Sequence, residues 1–445
     1  VNMIVEHYSV DQGLPNNTVN CTLKDRDGFI WFGTWYGLCC FDGVKFKTFN
    51  KQEHDSDVPP RKIQRIVEDK NGYIWVKTID RKLYVFNKVT ECFHAVYDDM
   101  KNYSENIQVI KLQNTAEGDV LLLTKDKNLL LAGVDEKGQV TIKILFDSRD
   151  EINKHDYTLK HHVLCETEEY ISWIGTDYKV SAVHKGAELA SRPADFITSK
   201  INSGDKDSFT SFFEDGRKVW VGDRAGIFYS IDVRTGLVNR YVLSEIKGAI
   251  SNLLVTPAGY VYLSVAGQGT YEYDLAERRL QKINTEMNDA MVTHAFIDQY
   301  DKIWFHENEK ALIYYDPLNH TAKRFPFTMF GKITTLYSED AGERGLFFLS
   351  PAGEAWLFDR EHVEMVYINK LKQLSNDRAN QQFYHLMLDN DGVLWLSSAD
   401  EGVYCMNFPK KQFNLLSLSP QSAGRENYAT GVRALFQSKS GDIWV

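Results

Sequence analysis

Short runs that alternate apolar and polar residues, each bounded by Asp-Gly or Asn-Gly, fill this chain and predict strands rather than helices. The clearest stretch predicts four. Val19–Lys24 alternates, Asp25-Arg26-Asp27-Gly28 is turn chemistry, and residues 29–34 form a second strand of β-branched and aromatic residues. The tripeptide Trp35-Tyr36-Gly37 then reverses the chain into residues 38–41, and Asp42-Gly43 is a two-residue hairpin signal leading to residues 45–49. We call these strands A, B, C and D. The same order returns at residues 63–86, 212–231 and 386–396. Helical periodicity is confined to short stretches such as residues 371–378.

The pattern is periodic. Anchored on the large residue of strand B, the copies fall at Trp31, Trp75, Leu121, Trp173, Trp220, Tyr262, Trp304, Phe347, Trp395 and Trp444, with spacings of 42 to 52 residues. That period suits a four-stranded propeller blade. The expected fold is therefore all-β, a β-propeller of four-stranded antiparallel blades, seven-bladed, with part of a second propeller. Residues 1–327 are expected to form the first ring, and residues 328–445 repeats eight to ten of a truncated second one. Residues 4–10 read as a strand D without its own A, B and C. In this layout they meet repeat seven; in the alternative, discontinuous layout they close a ring completed by later repeats. Repeat nine is expected to have its own strand D at residues 413–418. The tenth copy stops within strand B, so the natural protein is expected to continue beyond Val445.

Stacked sheets lie roughly 10 Å apart, and a large aromatic on strand B fills that space well. Trp31, Trp75, Trp173, Trp220, Trp304 and Trp395 are accordingly read as blade-packing residues, and Gly28 and Gly72 as turn residues that need positive φ. Trp31→Ala is expected to cost about 3–5 kcal/mol; an unchanged denaturation midpoint would contradict the packing role.

Composition narrows the function. The net charge of −10 argues against a general nucleic-acid binder. No uncharged apolar run is long enough to cross a bilayer, and the chain opens into a strand-like segment with no leading signal peptide. A cytoplasmic protein and a processed, exported fragment both remain open on these grounds. Cys21, Cys39, Cys40, Cys92, Cys165 and Cys405 lack metal or disulfide spacing and read as buried small apolar residues. His155, His161 and His162 have no ligand partner at metal-binding spacing and read as a solvated loop. No metal site, cofactor or catalytic residue is expected.

The first repeat carries a resemblance. Gly13-Leu14-Pro15-Asn16-Asn17, Val19, then Asp27-Gly28-Phe29-Ile30-Trp31-Phe32-Gly33-Thr34, Gly37-Leu38 and Phe41-Asp42-Gly43 resemble the two-component-regulator propeller repeat. That repeat fills the sensor region of hybrid two-component histidine kinases of Bacteroidetes. Weaker copies lie at residues 71–78, 391–398 and 441–445. The resemblance implies the periplasmic, extracytoplasmic part of an inner-membrane receptor. Family members carry two seven-bladed propellers and a small β-sandwich ahead of a membrane helix, with cytoplasmic kinase, receiver and DNA-binding modules. It also implies a homodimer and a glycan-derived ligand whose recognition switches on glycan-utilisation genes, with the membrane reached only through segments absent from this sequence.

In a propeller, the D-to-A connections and B-to-C loops share one face, and the Asp-Gly turns lie on the other. The first face is expected to bind the ligand. Its loops carry Asn16, Asn17, Trp35 and Tyr36 in repeat one, Arg61, Lys62, Asp80 and Arg81 in repeat two, and Asp177, Tyr178 and Lys179 in repeat four. Repeats five and seven add Asp223 with Arg224 and His306 with Glu307. Of these, Trp35, Tyr36, Arg61, Arg81, Tyr178, Arg224 and His306 are the ligand-contact candidates, because aromatics stack on sugar rings and guanidinium groups hold carboxylates or sulfates. Two other uses compete. A glycoside hydrolase would need paired carboxylates, for which Asp80, Asp177, Asp223 and Glu307 are candidates. The sialidase Asp-box, however, would place Ser and Asp where Lys24 and Arg26 precede Trp31. A passive protein-interaction scaffold would instead show a broad apolar or charged patch.

Overall fold

The computed structural model describes residues 4–50, 59–103, 108–126, 128–147, 164–174, 179–186, 196–200, 209–283, 292–308, 310–330, 337–340, 345–350, 353–370, 383–407, 436–437 and 443–444. They form nine four-stranded antiparallel sheets and one two-stranded ladder, Phe436–Gln437 with Ile443–Trp444. The fold is an all-β propeller architecture. Eight sheets are contiguous in sequence and pair in the order A-B-C-D. In blade one these strands are Val19–Lys24, Ile30–Thr34, Gly37–Phe41 and Phe46–Phe49. In blade two they are Ile63–Glu68, Ile74–Thr78, Leu83–Asn87 and Cys92–Ala95.

The ninth sheet is assembled from both ends of the described chain. Phe383–Leu388, Leu394–Ser398 and Val403–Asn407 supply A, B and C, and Ile4–Tyr8 supplies the fourth strand, with Ile4 opposite Asn407 and Tyr8 opposite Val403. The N-terminal strand therefore does not pair with repeat seven. There Thr321–Pro326 already occupies the edge of strand C, leaving no free ladder to join. Strand D expected at residues 413–418 and the short helix at 371–378 lie outside the described residues.

Packing follows the same cycle. Nine apolar clusters each join two successive sheets, and one of them joins blade nine to blade one through Trp395, Val403 and Cys405 against Ile30, Phe32 and Phe41. The contacts do not break near residue 327, because Trp304 and Tyr314 of blade seven pack on Phe348 and Phe358 of blade eight. Repeats eight and nine, assigned in sequence to a second ring, thus share this cycle of nine sheets.

The aspartate of the repeat does more than turn the chain. Asp25 Oδ1 accepts the Asp27 and Phe29 amides, closing the A-to-B turn, while Oδ2 accepts the Trp31 indole N–H at 2.8 Å. Asp69, Asp215, Asp298 and Asp389 hold Trp75, Trp220, Trp304 and Trp395 in the same way at 2.7 to 3.2 Å. A buried indole N–H needs an acceptor. Where the anchor is Leu121 or Tyr262, threonine suffices for the turn, as Thr115 and Thr256 show. Blade four breaks this correlation, with Thr167 ahead of Trp173. Gly28 and Gly72 have φ of +92° and +87° in these turns.

Cys21, Cys39, Cys92 and Cys405 are buried free thiols, and burial pushes the Cys21 thiol up to about 12. Cys40 is only half-buried, because its end of strand C lies beside the exposed Lys47 stem. Cys165 and His155, His161 and His162 have no described side chain.

Candidate functional site

The two ends of the blades are built differently. At the Asp-Gly turns, cations from one blade bind the carboxylates of the next. Lys88 Nζ lies 3.1 Å from Asp25, 2.7 Å from Asp27 and 2.8 Å from Glu68. Burial alone would lower the pKa of this ammonium, but its bonds to Asp27, Glu68 and Asp25 outweigh that cost and raise it. Asp25, Asp27 and Glu68 lie close enough together to hold a cation, and Lys88 fills that role. Blades eight and seven are joined likewise, with Arg360 on Asp298 at 2.6 Å and on Asp340 at 3.0 Å. Lys24 of blade one pairs with Asp389 and Asp391 of blade nine. The turn face is thus committed to holding blades together.

At the opposite end, the loops bond to one another through backbone. The Trp35 amide donates to Thr18 O, the Lys62 amide to Trp35 O, the Ile79 amide to Lys62 O and the Val109 amide to Arg81 O. These bonds place the B-to-C loops beside the D-to-A connections on one face, across blades one to three. The fixed loops present Trp35, 40% exposed, with the Lys62 ammonium 5.2 Å from its ring, and Tyr36, 59% exposed. Such an exposed, anchored aromatic pair offers a stacking surface. Arg61 and Arg81 are exposed on the same stretch of the face, and Arg81 holds φ at +68°.

The other candidates do not join this group. Arg224 is exposed in blade five, and His306 is half-buried in blade seven, where burial and then the neighbouring His294 hold its pKa below the ordinary imidazole value. Tyr178, with Asp177, lies outside the described residues. Of the carboxylates considered for glycoside hydrolysis, the three among the described residues are structurally engaged. Asp80 is bound by Thr78 and by Lys82, Asp223 is buried and accepts the Ala225 and Ile227 amides, and Glu307 pairs with Arg324 at 3.0 Å. They sit on blades two, five and seven.

The residue reading missed a repeated bulge. Strand A slips register between its first and third residues in seven blades, skipping Asn20, Gln64, Ile110, Thr210, Ser251, Thr293 and Tyr384. Bulges re-aim side chains and recur beside functional sites. Strands A of adjacent blades are tied here, with Asn20 donating to Ile63 O at 2.6 Å and Thr210 to Ile250 O at 2.6 Å. The residue after the bulge faces one strand B position across the ladder. In blades one and five this position is Gly33 and Gly222, where an added Cβ would come within 2.4 Å of Cys21 Sγ or Ser211 Oγ. In blade two it is Lys77, opposite Arg65. Comparing Trp31-Phe32-Gly33-Thr34 with Trp75-Val76-Lys77-Thr78 carries the signal that could have found it.

His385 occupies the post-bulge position in blade nine. Its pKa lies below the ordinary value, chiefly through burial and then through Arg65. A histidine depressed in the folded state binds fewer protons there than in the unfolded chain, so stability rises with pH between its lowered value and about 6.5. Below that window the penalty is complete, and above it the penalty vanishes. His385→Asn should flatten the slope of denaturation midpoint against pH in this window; an unaltered slope would dismiss the assignment.

Comparison with known proteins finds local likenesses in sequence and a likeness in fold. Residues 13–36 match the two component regulator propeller family, so the chain carries a repeat of that family. A curated relative, histidine kinase P4 of Formosa agariphila, is 33% identical over 84 residues, which is 17% of this chain and 6% of that protein. Two solved structures from B. thetaiotaomicron, extracellular domains of the hybrid two component systems BT4673 and BT3049, are 14% and 16% identical with TM-scores of 0.38 and 0.32. The alignments cover 90% and 99% of this chain but 66% and 63% of those domains. The chain therefore spans less than two thirds of either domain and a small part of the kinase.

Proposed function

We propose that this chain is the extracytoplasmic ligand-sensing part of a hybrid two-component sensor histidine kinase, and that it binds rather than transforms its ligand. The observation that carries this reading is the two component regulator propeller repeat at residues 13–36, whose own loop presents the exposed Trp35 and Tyr36. The local likeness to a histidine kinase supports it. The ligand class that best suits an aromatic pair beside Lys62, Arg61 and Arg81 is a glycan-derived oligosaccharide, with its rings stacked and its polar groups held by the cations. Receptor dimerisation and output to glycan-utilisation genes belong to the full-length protein, whose membrane and kinase segments would supply them. Among the described residues, no helix is long and apolar enough to cross a membrane.

The test is a thermal-shift and calorimetric screen of glycan oligosaccharides against this chain, followed by a transcriptional reporter driven by the full-length receptor. Binding that Trp35→Ala and Tyr36→Ala weaken, with the same variants silencing the reporter, would support the reading. Turnover of a glycoside, or binding untouched by both substitutions, would refute it.

A further inference from the structure

Arg65 and Lys77 are direct cross-strand partners in blade two, two cations side by side on a sheet. Like charges so placed repel. Lys77 is only 6% exposed, and its ammonium donates to the Gln64 amide oxygen rather than to an acid. Among the described residues neither Arg65 nor Arg81 makes an ion pair, although the turn face of the same blades pairs its cations throughout Lys88, Arg26 and Lys24. Burial holds the Lys77 pKa below its ordinary value, and Arg81 and Arg65 lower it further. Two blades away, burial and then the charge of Arg65 lower the pKa of His385, whose buried Nδ1 has no hydrogen-bond partner. The charge is also one-sided around the ring of bulges. The skipped and post-bulge residues of the seven bulged strands include Arg65, Lys111, His294 and His385, and no Asp or Glu, in a chain whose net charge is −10.

Among the described residues Lys77 is thus a buried cation with no acid on it, beside the exposed Arg65 and Arg81, whose charges no acid neutralises. We propose that Arg65 and Lys77, supported by Arg81 and by His385 across blade one, form a binding site for an oxyanion, the sulfate or carboxylate of an acidic saccharide. The guanidinium of Arg65 supplies a planar fork for two oxygens, and the Lys77 ammonium a point charge behind it. The loop that carries Arg81 bonds through the Ile79 amide to Lys62 O, and Lys62 lies over the Trp35 ring, so the site would read the anionic substituent of a ligand whose ring stacks there. The saccharide part of this inference rests on the sensor reading; the anion part stands on the cations alone.

The experiment titrates the chain with inorganic sulfate, galacturonic acid and galactose at matched ionic strength, reading the melting temperature and calorimetric affinity. Sulfate and galacturonic acid should both raise the melting temperature, since a ligand that binds only the folded state stabilises it. Galacturonic acid should bind at least tenfold more tightly than galactose. Arg65→Gln and Lys77→Met should abolish the sulfate shift, and Lys77→Met should itself melt no lower than the parent, because it removes a repelling charge. Arg217→Gln, on the Asp-Gly turn of blade five, should keep the full shift. If Lys77→Met fails to fold, Arg65→Gln on the exposed side carries the same readout. No shift with either anion, or equal shifts in parent and variants, would overturn the site. A neutral oligosaccharide that binds parent and variants alike, with no shift from either anion, would leave the sensor reading standing without the anion site.

Discussion

Deleting residues 1–8 should destabilise the whole ring, by on the order of 4 kcal/mol or more, and drive the chain into oligomers. The strand Ile4–Tyr8 covers the open edge of Val403–Asn407, and its loss would leave a row of unpaired amides and carbonyls. Side-chain packing goes with it. Val5 joins the core between blades eight and nine, Tyr8 lies 5.0 Å from Phe41 between blades nine and one, and His7 stacks on Tyr404 at 4.5 Å. Full burial of an apolar side chain contributes roughly 1.5–3 kcal/mol, so the half-buried Val5 and Tyr8 supply part of the figure and the lost ladder the rest. Gly402→Val tests the same junction with the chain intact, because a Cβ there would come within 2.2 Å of Tyr8 O. Scanning calorimetry and size-exclusion chromatography read the outcome. A monomeric deletion variant with an unchanged melting temperature would show that the ninth sheet does not depend on its fourth strand.

Asp25→Ala should be the costliest single change on the turn face, at about 3–5 kcal/mol, because each buried donor left without its acceptor costs roughly 1–3 kcal/mol. The substitution removes one of the three carboxylates around Lys88, which keeps Asp27 and Glu68, and removes the acceptor of the Trp31 indole and of two turn amides. Asp25→Asn is the sharper control. It preserves volume and the Oδ1 acceptor, yet turns an N–H₂ group toward the indole N–H and the Lys88 ammonium, and should still cost about 2 kcal/mol by the penalty for unsatisfied buried groups. Urea denaturation measures both, and a double-mutant cycle with Lys88→Met isolates the ion pair. An Asn variant as stable as the parent would mean that the aspartate serves the turn alone.

Local structure was readable wherever it follows from neighbours in sequence. Val19–Lys24 and Ile30–Thr34 announce themselves by alternation and by the Asp-Gly turn between them, and the four-stranded blade follows from their repetition. The role of Ile4–Tyr8 is different. An edge strand joins its partner through backbone groups that every residue shares, so its side chains do not spell out whether blade seven or blade nine receives it. The Asp25 bond to Trp31 lies within one motif and was visible in principle; reading the aspartate only as a turn former hid it. Lys77 is harder. A lysine on a strand reads as a solvated face, and only its place opposite Arg65, set by a one-residue slip in strand A, shows two cations meeting. Ion pairs such as Arg360 with Asp298 span blades and leave no spacing to recognise.

The ninth sheet also sets an order of assembly. Eight sheets are hairpin-connected and form from local contacts, each as soon as its own segment exists. The ninth joins Ile4 to Asn407, a pairing whose closure spans almost the whole chain and is therefore slow. During synthesis the first strand emerges long before its partner. It must wait as an unpaired edge while eight blades form behind it, which makes the interval before closure the time when this protein is most exposed to mispairing with another copy.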